Sequence, residues 1–244
     1  MKIIKHKEPK LKQCKINCDK PLSRNLDNNP ILKHMNKSFF GSFIGKPGSG
    51  KSSLLISFLQ TKHDGFKQVF HNIFVFMPAS SMMSIDNNLY SKLPEDQLFE
   101  NVNINDLENV YERLKENREN DKISLIILDD VQSYLKDKAV EKMLLHILAN
   151  RRNLLTSVFL TAQNYNKIPK NIRMLITDMF LFNLSKDELV KIHDELLNIN
   201  KKDFEKVITL YKKEKESNKY SFIYVHEFDT IYVNYNELIF EDNI

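Results

Sequence analysis

Apolar runs of strand length recur along this chain at residues 39–44, 72–77, 125–128, 154–160 and 176–182, and between most of them the apolar positions move to helical spacing. Leu54, Leu55, Phe58 and Leu59 follow the first run; Leu107, Val110, Tyr111 and Leu114 precede the third; Val140, Leu144, Ile147 and Leu148 follow it. Strands that read as continuous apolar runs are buried on both faces, as in a parallel sheet covered by crossover helices. The predicted architecture is therefore α/β, a three-layer sandwich around a mainly parallel sheet. Asn105 with Glu108, and Ser185 with Glu188, read as capping boxes that open helices.

Asp178 interrupts the fifth run and blurs its first residue, and residues 78–101, with Met82, Met83, Leu89, Tyr90, Leu93 and Leu98 among polar positions, predict an ordered excursion over one face. Two further helices carry Leu189, Ile192 and Leu196, then Phe204, Val207, Ile208 and Tyr211. Alternating strands at 221–227 and 230–234, joined by a tight turn at Phe228-Asp229, predict a small C-terminal β-hairpin on the sheet edge. Residues 1–37 hold Pro9, Pro21 and Pro30 with little periodicity, so the core is predicted to begin near Ser38. The chain divides into an N-terminal arm, 1–37, and one domain, 38–244.

The turn out of the first run is Gly45-Lys46-Pro47-Gly48-Ser49-Gly50-Lys51-Ser52, which fits GxxxxGK[ST] at every fixed position between a strand and a helix. The glycines let consecutive backbone N–H groups turn inward around a phosphate, Lys51 can reach the β- and γ-phosphate oxygens, and the Ser52 hydroxyl can ligate Mg²⁺. ATP and Mg²⁺ are the predicted cofactors, with Gly45 to Ser52 and the adjoining Ser53 lining the nucleotide site. The third run ends in Asp129-Asp130, at the carboxyl edge of the sheet where open α/β folds bind ligands. Asp129 would accept Mg²⁺ or its water shell, and Asp130 would orient or deprotonate the attacking water.

Gln163, just past the fourth strand, can bond both that water and a γ-phosphate oxygen; an ordinary polar strand end is the other reading, and Thr161 is a weaker candidate at the same edge. Arg151-Arg152 follows a helix and precedes the fourth strand. One of the two could reach a neighbouring subunit's γ-phosphate, or the pair could be a solvated helix end where cations favour the dipole. Arg173 is a further candidate of the same kind.

Composition narrows the partners. The chain has 244 residues, 42% hydrophobic and 28% charged, with no apolar run near the roughly 20 residues that span a bilayer, so no membrane insertion and no signal peptide are expected. Residues 1–37 carry ten Lys/Arg against Glu8, Asp19 and Asp27, a charge of +7 that leaves −3 for the rest of a chain whose total is +4. The arm could lie along a polyanion or be a soluble leader. Cys14 and Cys18 lack the further ligands of a zinc site, and the scattered histidines form no HExxH.

With its phosphate loop, its Asp129-Asp130 strand end and Gln163 in this order, the chain resembles the genome-packaging ATPases of large DNA viruses and virophages, the poxvirus-type branch of the FtsK/HerA superfamily, over residues 38–235. Asp130 stands where many members carry glutamate. The resemblance implies a P-loop NTPase sandwich of strand order 5-1-4-3-2, and a homo-oligomeric ring of five or six subunits that hydrolyses ATP. It also implies that the ring drives double-stranded DNA, independent of sequence, into a preformed capsid, with capsid proteins as partners and the host cytoplasm, viral factory or virion as the place. A nucleotide-gated capsid-assembly adaptor and a small-molecule kinase are the alternatives.

Overall fold

A computed structural model describes Lys20, Leu22, Ser23 and residues 26–83 and 89–240; the lysine-rich start of the arm and the Cys14/Cys18 pair lie outside the described residues. In chain order the elements are β1 (Phe40–Gly45), α1 (Lys51–Gln60), β2 (Asn72–Phe76), α2 (Ala79–Met83), β3 (Leu98–Phe99), α3 (Ile104–Glu119), β4 (Ser124–Leu128), α4 (Lys138–Asn150), β5 (Thr156–Ala162), α5 (Lys170–Arg173), β6 (Asp178–Phe182), α6 (Lys186–Leu196), α7 (Lys201–Ser217), β7 (Ile223–His226), β8 (Thr230–Val233) and β9 (Asn236–Leu238).

One sheet runs through the molecule in the order β3-β2-β4-β5-β1-β6-β7-β8-β9. Strands β3 to β6 in that order pair parallel, and β7, β8 and β9 continue antiparallel. The five long parallel strands stand as β6-β1-β5-β4-β2, which is the order 5-1-4-3-2. Their side chains alternate between two cores. Phe40, Ile44, Phe74, Ile126, Val158 and Leu181 face helices α3, α4, α6 and α7, while Phe43, Val75, Leu125, Phe159 and Phe180 face α1. These are the three layers predicted from the uninterrupted apolar runs.

Several boundaries differ from the pattern. Helix α3 is capped by Asn103 rather than Asn105: the Asn103 side chain accepts the Asp106 N–H at 2.9 Å, so the cap sits two residues earlier. The Ser185–Glu188 box on α6 is formed as predicted. Leu154 and Leu155 belong to the turn before β5, with Leu155 at φ 48°, because apolarity alone does not separate a buried turn from a strand. The 78–101 excursion contains α2 and ends in the edge strand β3, and the predicted hairpin gains a third strand, β9. Strands this short leave no period to read.

Packing also begins ahead of Ser38. Leu22, Leu26, Ile31, Leu32 and Met35 are buried beside α1 and the Phe39/Phe66 pair, so the described part of the leading segment is a cover for this core. At its C-terminal end β1 runs so close to β6 that a Cβ on Gly45 would stand 2.1 Å from the Phe182 carbonyl oxygen, which leaves glycine as the residue that fits where the loop begins.

Candidate functional site

The loop after β1 turns through Gly48 at φ 71° and Gly50 at φ 102°, left-handed conformations that side chains rarely adopt. Gly50 is the N-cap of α1, so backbone N–H groups of its first turn face the loop. Lys46, Pro47, Gly48 and Ser53 are exposed, and Ser49 is buried. Lys51 Nζ bends back to donate to the carbonyls of Gly45 at 2.7 Å and Lys46 at 3.1 Å. Burial lowers its pKa, opposed by the nearby Asp129 and Asp130. An ammonium stripped of water and aimed inside an anion-binding loop gains most from a phosphate.

Across β5 and β4 the strand ends supply the carboxylates. Asp129 is 4% exposed and continues the sheet with its N–H on the Phe76 carbonyl at 2.9 Å. Asp130 turns left-handed, φ 53°, a conformation aspartate tolerates, and this turn keeps both carboxylates at one edge, within electrostatic reach of Lys51. Thr161, at the end of β5, joins them: its hydroxyl donates to Asp129 Oδ1 and accepts the Asp130 N–H at 2.9 Å. Burial raises the Asp129 pKa above its usual range and Asp130 adds to this, whereas the Thr161 bond, Lys51 and the Ser52 hydroxyl pull the other way.

Gln163, the residue after β5, lies beside these groups. Its Nε2 donates to Asp130 Oδ1 at 3.1 Å, and its N–H donates to Gln132 Oε1 at 3.1 Å. Gln132, 8% exposed, is a site residue that sequence reasoning missed. Its one signal is a polar residue beside Val131 two positions after the acidic pair, too weak to single out. Tyr90, from the excursion, is buried against the same site; burial and the Asp129 charge both raise its pKa.

The arginines are elsewhere. Arg151 and Arg152 precede β5 and so lie at the amino-terminal edge of the sheet, opposite the phosphate loop. Arg151 donates to the carbonyls of Ser38 at 2.9 Å and Leu148 at 2.7 Å, and Arg152 is exposed. Arg173 does not face outward as an interface cation would. It is 5% exposed, paired with Glu195 at 3.0 Å and stacked over the Tyr165 ring at 4.5 Å, so it serves the interior.

The residues present fit a nucleotide and a divalent cation. Ser49 Oγ is buried without a hydrogen-bond partner among the described residues, and the desolvated Asp129 carboxylate, beside Ser52, is one that a cation would stabilise.

Solved structures similar to this chain include the genome packaging NTPase B204 from Sulfolobus turreted icosahedral virus 2 in complex with AMP, 18% identical over 84% of this chain and 100% of that one, with a TM-score of 0.58. The same protein in complex with ATP-gammaS matches at 18% identity over 84% and 100% with a TM-score of 0.56. The cytoplasmic domain of the type VII secretion ATPase EccC of Thermomonospora curvata matches at 15% identity over 84% of this chain and 26% of that one, with a TM-score of 0.52. At these identities the likeness is one of fold. No curated protein sequence matches. Residues 30–243 match the family described as Poxvirus A32 protein, from the packed leading segment through the antiparallel strands, and the chain belongs to that family.

Proposed function

We propose that this protein is a Mg²⁺-dependent ATPase that drives double-stranded viral DNA into a preformed capsid, acting as a ring of five or six copies. Family membership and the fold shared with a genome packaging NTPase, described in complex with AMP and ATP-gammaS, support this reading. The observation that carries it is the chain of contacts from Asp129 through Thr161 and Asp130 to Gln163, set across from the Lys51 loop.

Gly45 to Ser53 wrap the phosphates, and Lys51 leaves the carbonyls of Gly45 and Lys46 for the β- and γ-phosphate oxygens. Ser52 and Asp129 would hold Mg²⁺, which would supply positive charge to the phosphate oxygens when bound. Asp130 orients and deprotonates the attacking water, and Gln163, bonded to Asp130, senses whether the γ-phosphate is present. One of Arg151 and Arg152, at the edge of the sheet opposite the phosphate loop, is assigned the approach to a neighbour's γ-phosphate.

DNA is gripped through phosphates. The basic sequence of segment 1–37 and the exposed lysines of α7, Lys201, Lys202, Lys212 and Lys213, are assigned to meet those phosphates. The capsid proteins at the packaging site are the remaining partners, and the host cytoplasm, viral factory or virion is the setting.

The test separates binding from chemistry. Asp130→Asn is expected to keep ATP affinity while steady-state hydrolysis falls on the order of 10²-fold or more, and hydrolysis by the wild type is expected to rise equally with two unrelated duplexes and fall steeply with salt. Wild-type turnover in Asp130→Asn would remove Asp130 as the base, and a strong preference between the duplexes would remove the sequence-independent motor.

A further inference from the structure

The order of the sheet gives a bound triphosphate its direction. Asp129, Asp130 and Gln163 close β4 and β5, which lie on one side of β1. A phosphate chain held in the loop after β1 therefore presents its γ end to that side, and its α end with the nucleoside points the other way, over β6 and β7. The residues waiting there are aromatic. Tyr220, in the turn between α7 and β7, has its Cδ1 3.1 Å from where a Cβ on Gly50 would sit, yet it is 49% exposed. Its ring thus leans on the phosphate loop and keeps surface in solvent, with Lys219 Nζ 4.7 Å from the ring centroid.

The turn is held in place by its neighbours. Asn218 Oδ1 accepts the Tyr220 N–H at 3.0 Å and the Asn218 carbonyl accepts the Ser221 N–H at 3.0 Å. Asn234 ties the next residue to β8: it donates its N–H to the Phe222 carbonyl at 2.9 Å and accepts the Phe222 N–H on Oδ1 at 3.1 Å. Tyr235 stands edge-on to Phe222 with centroids 5.7 Å apart. An aromatic ring of two side-chain torsions, on an anchored turn beside an anion site, presents a flat face with little to lose on binding.

We propose that Tyr220 carries the base of the bound nucleotide by stacking, which rests on the nucleotide-hydrolase reading above and extends it to the other end of the ligand. Every base has a π-face, so this contact strengthens binding without distinguishing adenine from guanine. The ligand class is a nucleoside triphosphate, with the phosphate loop holding one end and Tyr220 the other.

The experiment compares ATP, GTP and inorganic tripolyphosphate, each with Mg²⁺, on the full-length wild type, Tyr220→Ala and Tyr220→Trp, with melting curves to show that each variant folds. Loss of the ring is expected to weaken ATP and GTP by about tenfold or more and to leave tripolyphosphate unchanged. The chain contains no tryptophan, so Tyr220→Trp is a single fluorophore at this place; ATP and GTP are expected to quench it and tripolyphosphate is not. Equal weakening of ATP and tripolyphosphate in Tyr220→Ala, or undiminished ATP binding, overturns the proposal while nucleotide binding stands. A wild type that binds none of the three overturns the nucleotide reading itself and this proposal with it.

Discussion

Asp129 and Asp178 lie at opposite edges of the same sheet with nearly the same burial, 4% and 1% exposed. Asp178, at the start of β6, is surrounded by donors: Tyr224 OH at 2.6 Å and His226 Nδ1 at 2.9 Å on Oδ1, and Thr177 Oγ1 at 2.6 Å from Oδ2. His226 stacks on His34 at 4.9 Å, and His34 Nε2 donates to Tyr232 OH, whose proton goes to Glu237. This edge clamps the leading segment to the antiparallel strands with its polar groups matched. Asp129 instead accepts the Thr161 hydroxyl but stands beside an acidic neighbour and a desolvated lysine, and the phosphate loop holds a buried Ser49 Oγ with no hydrogen-bond partner among the described residues. Matched groups stabilise a fold, and unmatched ones, held where a ligand can reach them, are the mark of a site.

The largest expected effect comes from the loop. Lys51→Ala should remove steady-state hydrolysis, a loss of about 10³-fold or more, and greatly weaken triphosphate binding. Its melting temperature should stay within about 2 °C of wild type, since the folded protein disfavours the Lys51 charge. A collapse of stability would mean that the loop edge is structural as well.

Next come the arginines, where the amino-terminal edge enters the chemistry only through a neighbouring copy. Arg151→Ala/Arg152→Ala should lower turnover of the assembled ring by roughly 10³-fold, and adding Lys51→Ala subunits should restore part of it. No recovery in mixed rings shown to form would remove the action in trans. Arg151→Ala alone, which removes the guanidinium from the Ser38 and Leu148 carbonyls, should also cost about 1–2 kcal/mol in denaturant unfolding.

One substitution made at both edges tests the comparison itself. Asp178→Asn breaks a matched network and should lower stability by roughly 2–4 kcal/mol at pH 7. Asp129→Asn should raise the melting temperature of the nucleotide-free protein by about 2–4 °C while abolishing turnover. The sign follows from the raised Asp129 pKa: the folded state holds that proton more tightly than the unfolded one, so ionisation at neutral pH works against folding. Destabilisation of equal size at both positions would refute the contrast.

The smallest effect is in the paired histidines. Burial first, then the neighbouring His226, lowers the His34 pKa below 6.5. Burial opposes the His226 charge most strongly, but the bond to Asp178, the Asp178 charge and the nearby Glu227 and Asp229 together outweigh it and hold the pKa above 6.5. The His226 contribution to stability is therefore complete below 6.5 and lost as pH rises through its raised value. That of His34 is present above 6.5 and lost as pH falls through its lowered one. Imidazole NMR titrations should find the two rings on opposite sides of 6.5, with Asp178→Asn drawing His226 down; coincident titrations would dissolve the pair.

What the sequence determined by itself is whatever depends on residues close together in the chain. The phosphate loop is eight consecutive residues whose two left-handed glycines are demanded by its own turn, the buried strands are continuous apolar runs, and the α6 cap is a four-residue motif. Asp129, Asp130 and Gln163 were legible for the same reason, as polar residues ending such runs. Only the tertiary structure decided what these groups do to one another. Thr161 and Gln132 meet their partners across 31 or 32 positions, Asp178 meets Tyr224 and His226 across 46 and 48, and Tyr220 reaches Gly50 from the far end of the chain. Sheet pairing sets those meetings, and the charge and hydrogen bonding of a buried group depend on what surrounds it in space, which no local spacing encodes.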